Sequence, residues 1–321
     1  DVYKRQVYEL KVYKLPLGNP QAKGRPIINL LPLSEGEQVT TMMPLPENED
    51  NPPDLMFATK SGNVRRNPLS DFSNIKSNGK IAMKLIDGDS LVGVVPCREN
   101  DDILLSASLG KCMRFRSNDV RLFKGRGSIG VRGIRLKQED YVISISVLKH
   151  IEADTDIKTL YLKAAGAKRR GDGQDYIEEE KFELMHNDDQ FILTISENGF
   201  GKRTSAYEYR ITNRGGQGII NIETSDRNGP VIASFLVEDS DDVMLVTNAG
   251  RMIRSPVNDI RIASRNTQGV TLFSIDKGEK VVSVTAISAV EDEQNENLDK
   301  ESEEINDSDN VSIDKEDNKD D

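Results

Sequence analysis

The chain has 321 residues, a net charge of −11 and a hydrophobic content of 36%, which is enough to bury a core. Its two histidines and two cysteines supply neither a zinc site nor a disulfide framework and leave little material for histidine-based catalysis, so the composition favours binding over catalysis. No stretch approaches the roughly 18 uninterrupted apolar residues of a membrane span, and the start shows no signal-peptide pattern, so we expect a cytoplasmic protein with no membrane partner.

A repeat with a period near fifty residues runs along the chain. Each copy reads as an apolar strand, a first glycine, an arginine four residues later, a turn region that ends in a second glycine, and a short apolar strand. The opening copy, at about 7–46, is partial, with Gly24 as its second glycine. Arg5 stands where its first glycine is expected, so residues 1–6 break the pattern and are candidates for non-native sequence.

Four clearer copies follow at about 47–98, 99–148, 188–238 and 239–290. Their first glycines, each with the arginine four residues later, are Gly62 and Arg66, Gly110 and Arg114, Gly199 and Arg203, and Gly250 and Arg254. Their second glycines are Gly79, Gly130, Gly218 and Gly269. An insertion at about 150–188 carries both a basic and an acidic triplet, and it is typical of a mobile hairpin or loop at the periphery of a fold.

The repeats indicate an all-β fold. Each unit holds several short runs rich in Ile, Val, Leu, Phe and Thr, bounded by Gly, Asn, Asp and Ser, and no long stretch has helical periodicity. About four strands per unit are typical of propeller blades, which bury their faces against neighbours in a closed or spiral ring. We predict a propeller-like domain at 1–290 built of about five four-stranded repeats. A kelch-like propeller is the competing interpretation.

The acidity of the chain belongs to its last segment. Fifteen acidic residues and three lysines lie between Glu291 and Asp321, so the remaining 290 residues carry a net charge of +1. Because this segment has almost no aromatic or β-branched residues, we predict a disordered acidic tail at 291–321. The tail either solubilises the chain or competes with an anionic ligand for a basic surface.

The repeated glycines and arginines suggest a binding surface. A glycine at a fixed place most often supplies a turn with positive φ, whereas an arginine at fixed spacing after it would point the same way in every blade. Any one such arginine is an ordinary surface charge, but a rim of them fits DNA, which carries a charge about every 1.7 Å of its axis. No aromatic pattern for stacking single-stranded bases is present, so duplex DNA is favoured. The predicted DNA-binding residues are Arg66, Arg114, Arg203, Arg254, Lys60, Lys111, Lys202, Arg251, Lys23, Arg25, Lys124, Arg126, Arg214 and Arg265.

Across about residues 7–290 the chain resembles the C-terminal domains of DNA gyrase A. The resemblance lies in the segments KGRPIINLLPL from Lys23, GVRGIRL from Gly130, NGFGKRT from Asn198 and SRNTQGV from Ser264. It implies a six-bladed β-pinwheel that wraps double-stranded DNA on its rim, so that an ATP-dependent bacterial type II topoisomerase, an isomerase, introduces negative supercoils. It further implies an A2B2 complex with gyrase B and a second copy of gyrase A, with ATP and Mg²⁺ used elsewhere in that complex and no cofactor or metal bound by this chain.

The chain departs from the family in two respects. The family's first-blade box, Q-R-R-G-G-K-G, is absent, and its nearest echoes are the turns at Lys124–Gly130 and Asn213–Gly218. The breakage-reunion region with its nucleophilic tyrosine is absent as well, so we expect a non-catalytic chain in which tyrosines such as Tyr207 and Tyr209 pack. Two alternatives stay open: a propeller that acts as a protein-interaction scaffold, and a propeller enzyme with a central-channel site.

Overall fold

The computed structural model describes residues 6–18, 22–33, 39–44, 50–172 and 176–289, so the predicted acidic tail lies outside the described residues. The strands are β1 (Gln6–Val7), β2 (Asp54–Thr59), β3 (Asn63–Pro68), β4 (Lys80–Ile81), β5 (Leu91–Cys97), β6 (Asp102–Ala107), β7 (Lys111–Arg116), β8 (Val131–Arg132), β9 (Val142–Leu148), β10 (Phe191–Ser196), β11 (Phe200–Ser205), β12 (Ile219–Ile220), β13 (Val231–Val237), β14 (Asp242–Thr247), β15 (Met252–Pro256), β16 (Val270–Thr271) and β17 (Val281–Ile287). The helices are α1 (Thr155–Arg170) and α2 (Glu179–Asp188).

Each blade is built on a hairpin whose turn is the first glycine of the repeat. In the third repeat, β6 and β7 pair antiparallel around Gly110, and β9 pairs with the other side of β6. The same three-strand arrangement, with a register shift at the same place, recurs around β2, β10 and β14. The prediction that the repeat glycines adopt positive φ is confirmed for all eight of the four clearer copies.

The outermost strand of a blade comes from the next repeat. Strands β8, β12 and β16 each follow a second glycine directly and pair with β3, β7 and β11 of the preceding repeat, and β4 pairs with β1 in the same way. Three sheets therefore have four strands, whereas the sheet of β14, β15 and β17 has three within the described part of the chain. The prediction of four-stranded blades is confirmed, but a blade and a repeat are different segments of the sequence.

The faces of neighbouring blades form the core. Val64, Ile103, Met113 and Ile134 belong to one buried cluster that joins the second and third repeats. Strand β9 packs between β5 and β13, and β17 packs against β13, so the innermost strands of successive blades pack against one another in chain order. The two cysteines are free and buried, and burial raises the pKa of each thiol to about 12, which confirms their interpretation as packing residues.

The insertion at about 150–188, which the sequence predicts as a mobile hairpin or loop, folds as two helices, although no long stretch of the sequence has helical periodicity. The Asp154 carboxylate caps α1 by accepting the Asp156 N–H at 2.8 Å, and Gly171 ends the helix in the left-handed region. Tyr161 of α1 and Phe182 of α2 are buried together against Tyr207 of the blade. Neither helix is long and apolar enough to cross a membrane. The domain is therefore mostly β with a helical hairpin attached.

Candidate nucleic-acid interface

The four arginines that follow the first glycines do not form a solvent-exposed rim. Arg66, Arg114 and Arg203 are only 7%, 5% and 5% exposed. For these three arginines the predicted position on an exposed rim is therefore wrong. Each is covered because the next repeat crosses over it and forms an isolated parallel bridge to its backbone.

Two of these buried arginines, Arg114 and Arg203, join blades together instead. The Arg114 guanidinium donates to the Asp102 carboxylate at 2.7 Å and to the Ala206 carbonyl oxygen at 2.8 Å. The Arg203 side chain pairs with Asp239 and donates from Nε to the carbonyl oxygen of Ile260 at 2.7 Å. Buried charges are costly unless paired and hydrogen-bonded, so Arg114 and Arg203 are structural.

The last blade shows the same position uncovered. Arg254 lies on β15, which has no strand from a following repeat within the described residues, and its side chain is 45% exposed. It still pairs with Asp242 at 2.6 Å, as Arg114 pairs with the equivalent Asp102. The arginine and aspartate are thus a feature of the blade itself, and the next repeat determines whether they are buried.

The other predicted cations near the first glycines, Lys60, Lys111 and Arg251, differ in their exposure and in their partners. Lys60 is exposed, with Nζ 4.5 Å from the Tyr141 ring centroid, and Lys111 is half-buried on β7. Arg251 pairs with Glu279, whose pKa the Arg251 hydrogen bond holds at about 2.

Lys202 corrects the prediction most clearly, because it is fully buried. Its ammonium donates to the Ser264 carbonyl oxygen, to the Arg265 carbonyl oxygen at 2.7 Å and to Thr267 Oγ1 at 3.2 Å. Burial lowers the Lys202 pKa to about 8. Lys202 therefore organises the turn that carries Arg265 and is not itself a surface contact.

Arg65, which the sequence analysis missed, has the same role two repeats earlier in the chain. It lies three residues after the first glycine, as Lys202 does, and it is fully buried. Its guanidinium donates to the carbonyl oxygens of Gly125, Arg126 (2.8 Å) and Ser128 (3.0 Å). The signal in the sequence was a cation at this fixed spacing in two repeats.

The arginines before the second glycines share one geometry. Arg126, Arg214 and Arg265 each donate from Nη1 to the carbonyl oxygen of the second residue of the preceding repeat's short strand, at 3.0, 3.1 and 2.6 Å. All three are half-buried. Of the other predicted turn cations, Lys23, Arg25 and Lys124 are exposed. The turn arginines thus recur at the outer edge of three successive repeats.

A second set of arginines at the same edge was also missed. Arg121, Arg210 and Arg261 each lie eleven residues after a first glycine, and all three are exposed. The residue after each one forms the bridge to the preceding blade, so these arginines stand where the chain crosses between blades. We call Arg121, Arg126, Arg210, Arg214, Arg261 and Arg265 the outer arginine row.

The tyrosines that sequence analysis singled out are packing residues. The Tyr207 hydroxyl donates to the Met185 carbonyl oxygen at 3.2 Å, and the Tyr209 hydroxyl donates to Asn221 Oδ1 at 2.6 Å. Burial raises the pKa of both phenols, so neither is poised as a nucleophile.

Comparison with known proteins agrees with this architecture. A family model described as "DNA gyrase C-terminal domain, beta-propeller" matches residues 4–46, 53–98, 101–149, 190–238 and 241–288. These five segments leave out the helical hairpin. The DNA gyrase A protein of Rickettsia bellii is 49% identical over 310 residues, which cover 93% of this chain and 34% of that protein. The chain thus spans about a third of the length of the curated relatives it matches.

Two solved structures share the fold. A DNA gyrase A C-terminal domain has a TM-score of 0.64 at 21% identity and covers 89% of this chain and 80% of its own. A C-terminal domain of DNA topoisomerase IV has a TM-score of 0.65 at 19% identity and covers 83% of this chain and 71% of its own.

Proposed function

The chain belongs to the family of DNA gyrase C-terminal domains, and we propose that it binds duplex DNA along its outer arginine row and bends the duplex around the blades. The observation that supports this most directly is the recurrence of Arg121, Arg210 and Arg261 at one position in three consecutive repeats, all exposed. A bent polyanion presents phosphates at intervals, and cations that recur in three successive repeats can meet them without reading bases.

The energetics of bending fit a surface of this kind. Smooth bending of a site of 20–30 base pairs by 40–90° costs about 1–6 kcal/mol, and contacts to phosphates along the bend offset that cost. Since the turn arginines are held by backbone carbonyls of neighbouring blades, that part of the row is fixed before DNA arrives, and little side-chain ordering is required on binding.

The relatives suggest a wider role. We propose that the chain is part of a cytoplasmic gyrase A protein that works with gyrase B in an A2B2 complex, and that its bend helps an ATP-dependent type II topoisomerase introduce negative supercoils. In this proposal ATP and Mg²⁺ act elsewhere in the complex. The present chain supplies geometry and no catalytic group.

Salt dependence of duplex binding tests the proposal. We expect log K to fall steeply with log salt for the wild-type chain, at about 0.9 per phosphate neutralised. In the variant R121Q/R210Q/R261Q, the slope of log K against log salt is expected to be less steep than wild type by about 2 to 3. A control with the same charge change, K137Q/K181Q/K277Q, replaces exposed lysines outside the row and should keep the wild-type slope. Equal slopes for both variants would remove the outer arginine row from the interface, and no duplex binding at all would favour the scaffold function.

Bending is tested separately by measuring the linking number of circular DNA. Nicked circular DNA ligated in the presence of the chain is expected to retain a change in linking number of positive sign, which the row variant reduces and the lysine control does not. An unchanged linking number despite tight binding would show that the chain binds DNA without wrapping it.

A further inference from the structure

The helical hairpin and the blade beneath it enclose a cleft of about 750 Å³. One face of α1 lines it through Lys158, Leu162 and Arg169, and the opposite wall comes from the chain around Arg210 and Arg265. Helix α1 lies between matched family segments, so neither the family nor the five-repeat pattern accounts for the cleft.

The cleft is strongly cationic. Lys158, Lys163 and Arg169 project from α1, and Arg210 stands on the facing wall. Among the residues the structure describes, none of these four side chains makes an ion pair or hydrogen bond. Other cations of the hairpin do find acidic partners: Lys168 pairs with Glu179 at 2.7 Å. The unpaired charge therefore lies on the face of α1 that is turned to the cleft.

The two acidic residues of the cleft are already engaged. The Asp189 carboxylate accepts hydrogen bonds from Ser205 Oγ at 2.8 Å and from the Tyr161 hydroxyl at 3.0 Å. The Glu208 carboxylate accepts the backbone N–H of Arg265 at 2.9 Å. Neither carboxylate lies within ion-pair distance of the four cations, so the cleft retains an excess of positive charge.

The surroundings disfavour the charged forms of two of the four cations. Burial lowers the pKa of Lys158, and the nearby Arg114 adds to this effect. Burial also lowers the pKa of Arg169, which the Asp189 and Glu208 carboxylates partly offset. Several like-charged side chains that line one cleft are typical of a site that binds an oppositely charged group.

We propose that this cleft is a phosphate-binding site that extends the outer arginine row onto the helical hairpin, where it takes the backbone phosphates of duplex DNA. The inference rests on the proposed function. Arg210 belongs to both the row and the cleft, so the two cationic surfaces are continuous. Lys158 and Arg169 are eleven residues apart on one helix, about 16 Å along its axis, a span that fits an extended backbone and exceeds a single phosphate.

The variant K158Q/K163Q/R169Q tests the site, because glutamine keeps the helical propensity of α1 while removing three charges. We expect its salt slope for duplex binding to be less steep than wild type by about 2 to 3, with at least about tenfold weaker binding at low salt. The control K137Q/K181Q/K277Q should match wild type, and circular dichroism should show equal helix content in all three proteins.

Two results would overturn the inference while leaving the proposed function intact. The first is a wild-type slope in the α1 variant when R121Q/R210Q/R261Q is less steep. The second is binding of inorganic tripolyphosphate, measured by calorimetry, that the α1 variant loses without any change in its duplex binding, because the cleft would then serve a free anion. A wild-type chain that shows no salt-dependent duplex binding would instead remove the proposed function itself.

Discussion

Alanine at Gly110 and alanine at Gly250 should have very different effects, although the two glycines occupy the same position in their repeats. Both have φ of +80°. A Cβ on Gly110 would lie far inside van der Waals contact with the Ile222 carbonyl oxygen, whereas a Cβ on Gly250 would meet nothing within 4 Å. The difference arises because the next repeat packs on β7 and no described strand packs on the outer edge of β15.

The magnitudes can be estimated from these contacts. Left-handed backbone costs a non-glycine residue about 1–2 kcal/mol, and this cost applies to both variants. In Gly110→Ala the next repeat must also move, which breaks the hydrogen bonds that the Gly110 carbonyl accepts from Asn221 N (2.8 Å) and Ile222 N (3.3 Å). At about 1 kcal/mol each, Gly110→Ala should cost about 3–4 kcal/mol and Gly250→Ala about 1–2 kcal/mol.

Urea unfolding followed by the β-sheet circular dichroism signal measures the difference, and native-state hydrogen exchange locates it. The amides of Asn221 and Ile222 should exchange faster in Gly110→Ala and at the wild-type rate in Gly250→Ala. Equal destabilisation by the two substitutions would refute the reasoning, because it would mean that backbone strain alone, and not the crossing of the next repeat, sets the cost.

Three further predictions concern charge. Arg114→Met should destabilise the fold by about 3–5 kcal/mol in urea unfolding because it leaves the fully buried Asp102 without its main partner, whereas Arg254→Met at the exposed equivalent should cost under about 1 kcal/mol; similar losses would contradict the assignment. Burial raises the Asp189 pKa from 3.8 to about 6, so the native state binds more protons between these values and stability should fall by up to about 3 kcal/mol as pH rises through that window; Asp189→Asn should flatten the pH profile, and a profile as steep as wild type would be inconsistent with this pKa. Deletion of 291–321 should tighten duplex binding at low salt if the acidic segment competes for the cations, and unchanged affinity across a salt series would leave it a solubilising role.

The repeat could be predicted from the sequence because its residues recur at fixed distances along the chain. The positive φ of the glycines and the four-stranded blades follow from local turn chemistry and strand patterning. The burial of Arg66, Arg114 and Arg203 does not, because it depends on a segment more than fifty residues downstream that crosses onto the preceding blade. A pattern within one repeat cannot show which of its strands another repeat will cover.

The helices and the exposed arginines were missed for different reasons. Helix α1 buries mainly alanines and Tyr161, so its apolar face is too weak to stand out, although Asp154 and Gly171 were readable as its cap signals. Arg121, Arg210 and Arg261 obey the same fixed-spacing rule that drew attention to the position four residues after glycine. Applying that rule to every offset in the repeat would have found them.

Because the outer strand of each blade comes from the next repeat, the blades can be completed only in chain order. During synthesis the hairpin of β2 and β3 leaves the ribosome before β8, and its sheet stays incomplete until Val131–Arg132 has followed, after most of the next repeat has been made. The outer edge of each blade is therefore unpaired until the next repeat has been synthesised. Duplication or loss of one repeat during evolution would therefore change two blades at once. The sequence repeat and the folded blade have different boundaries.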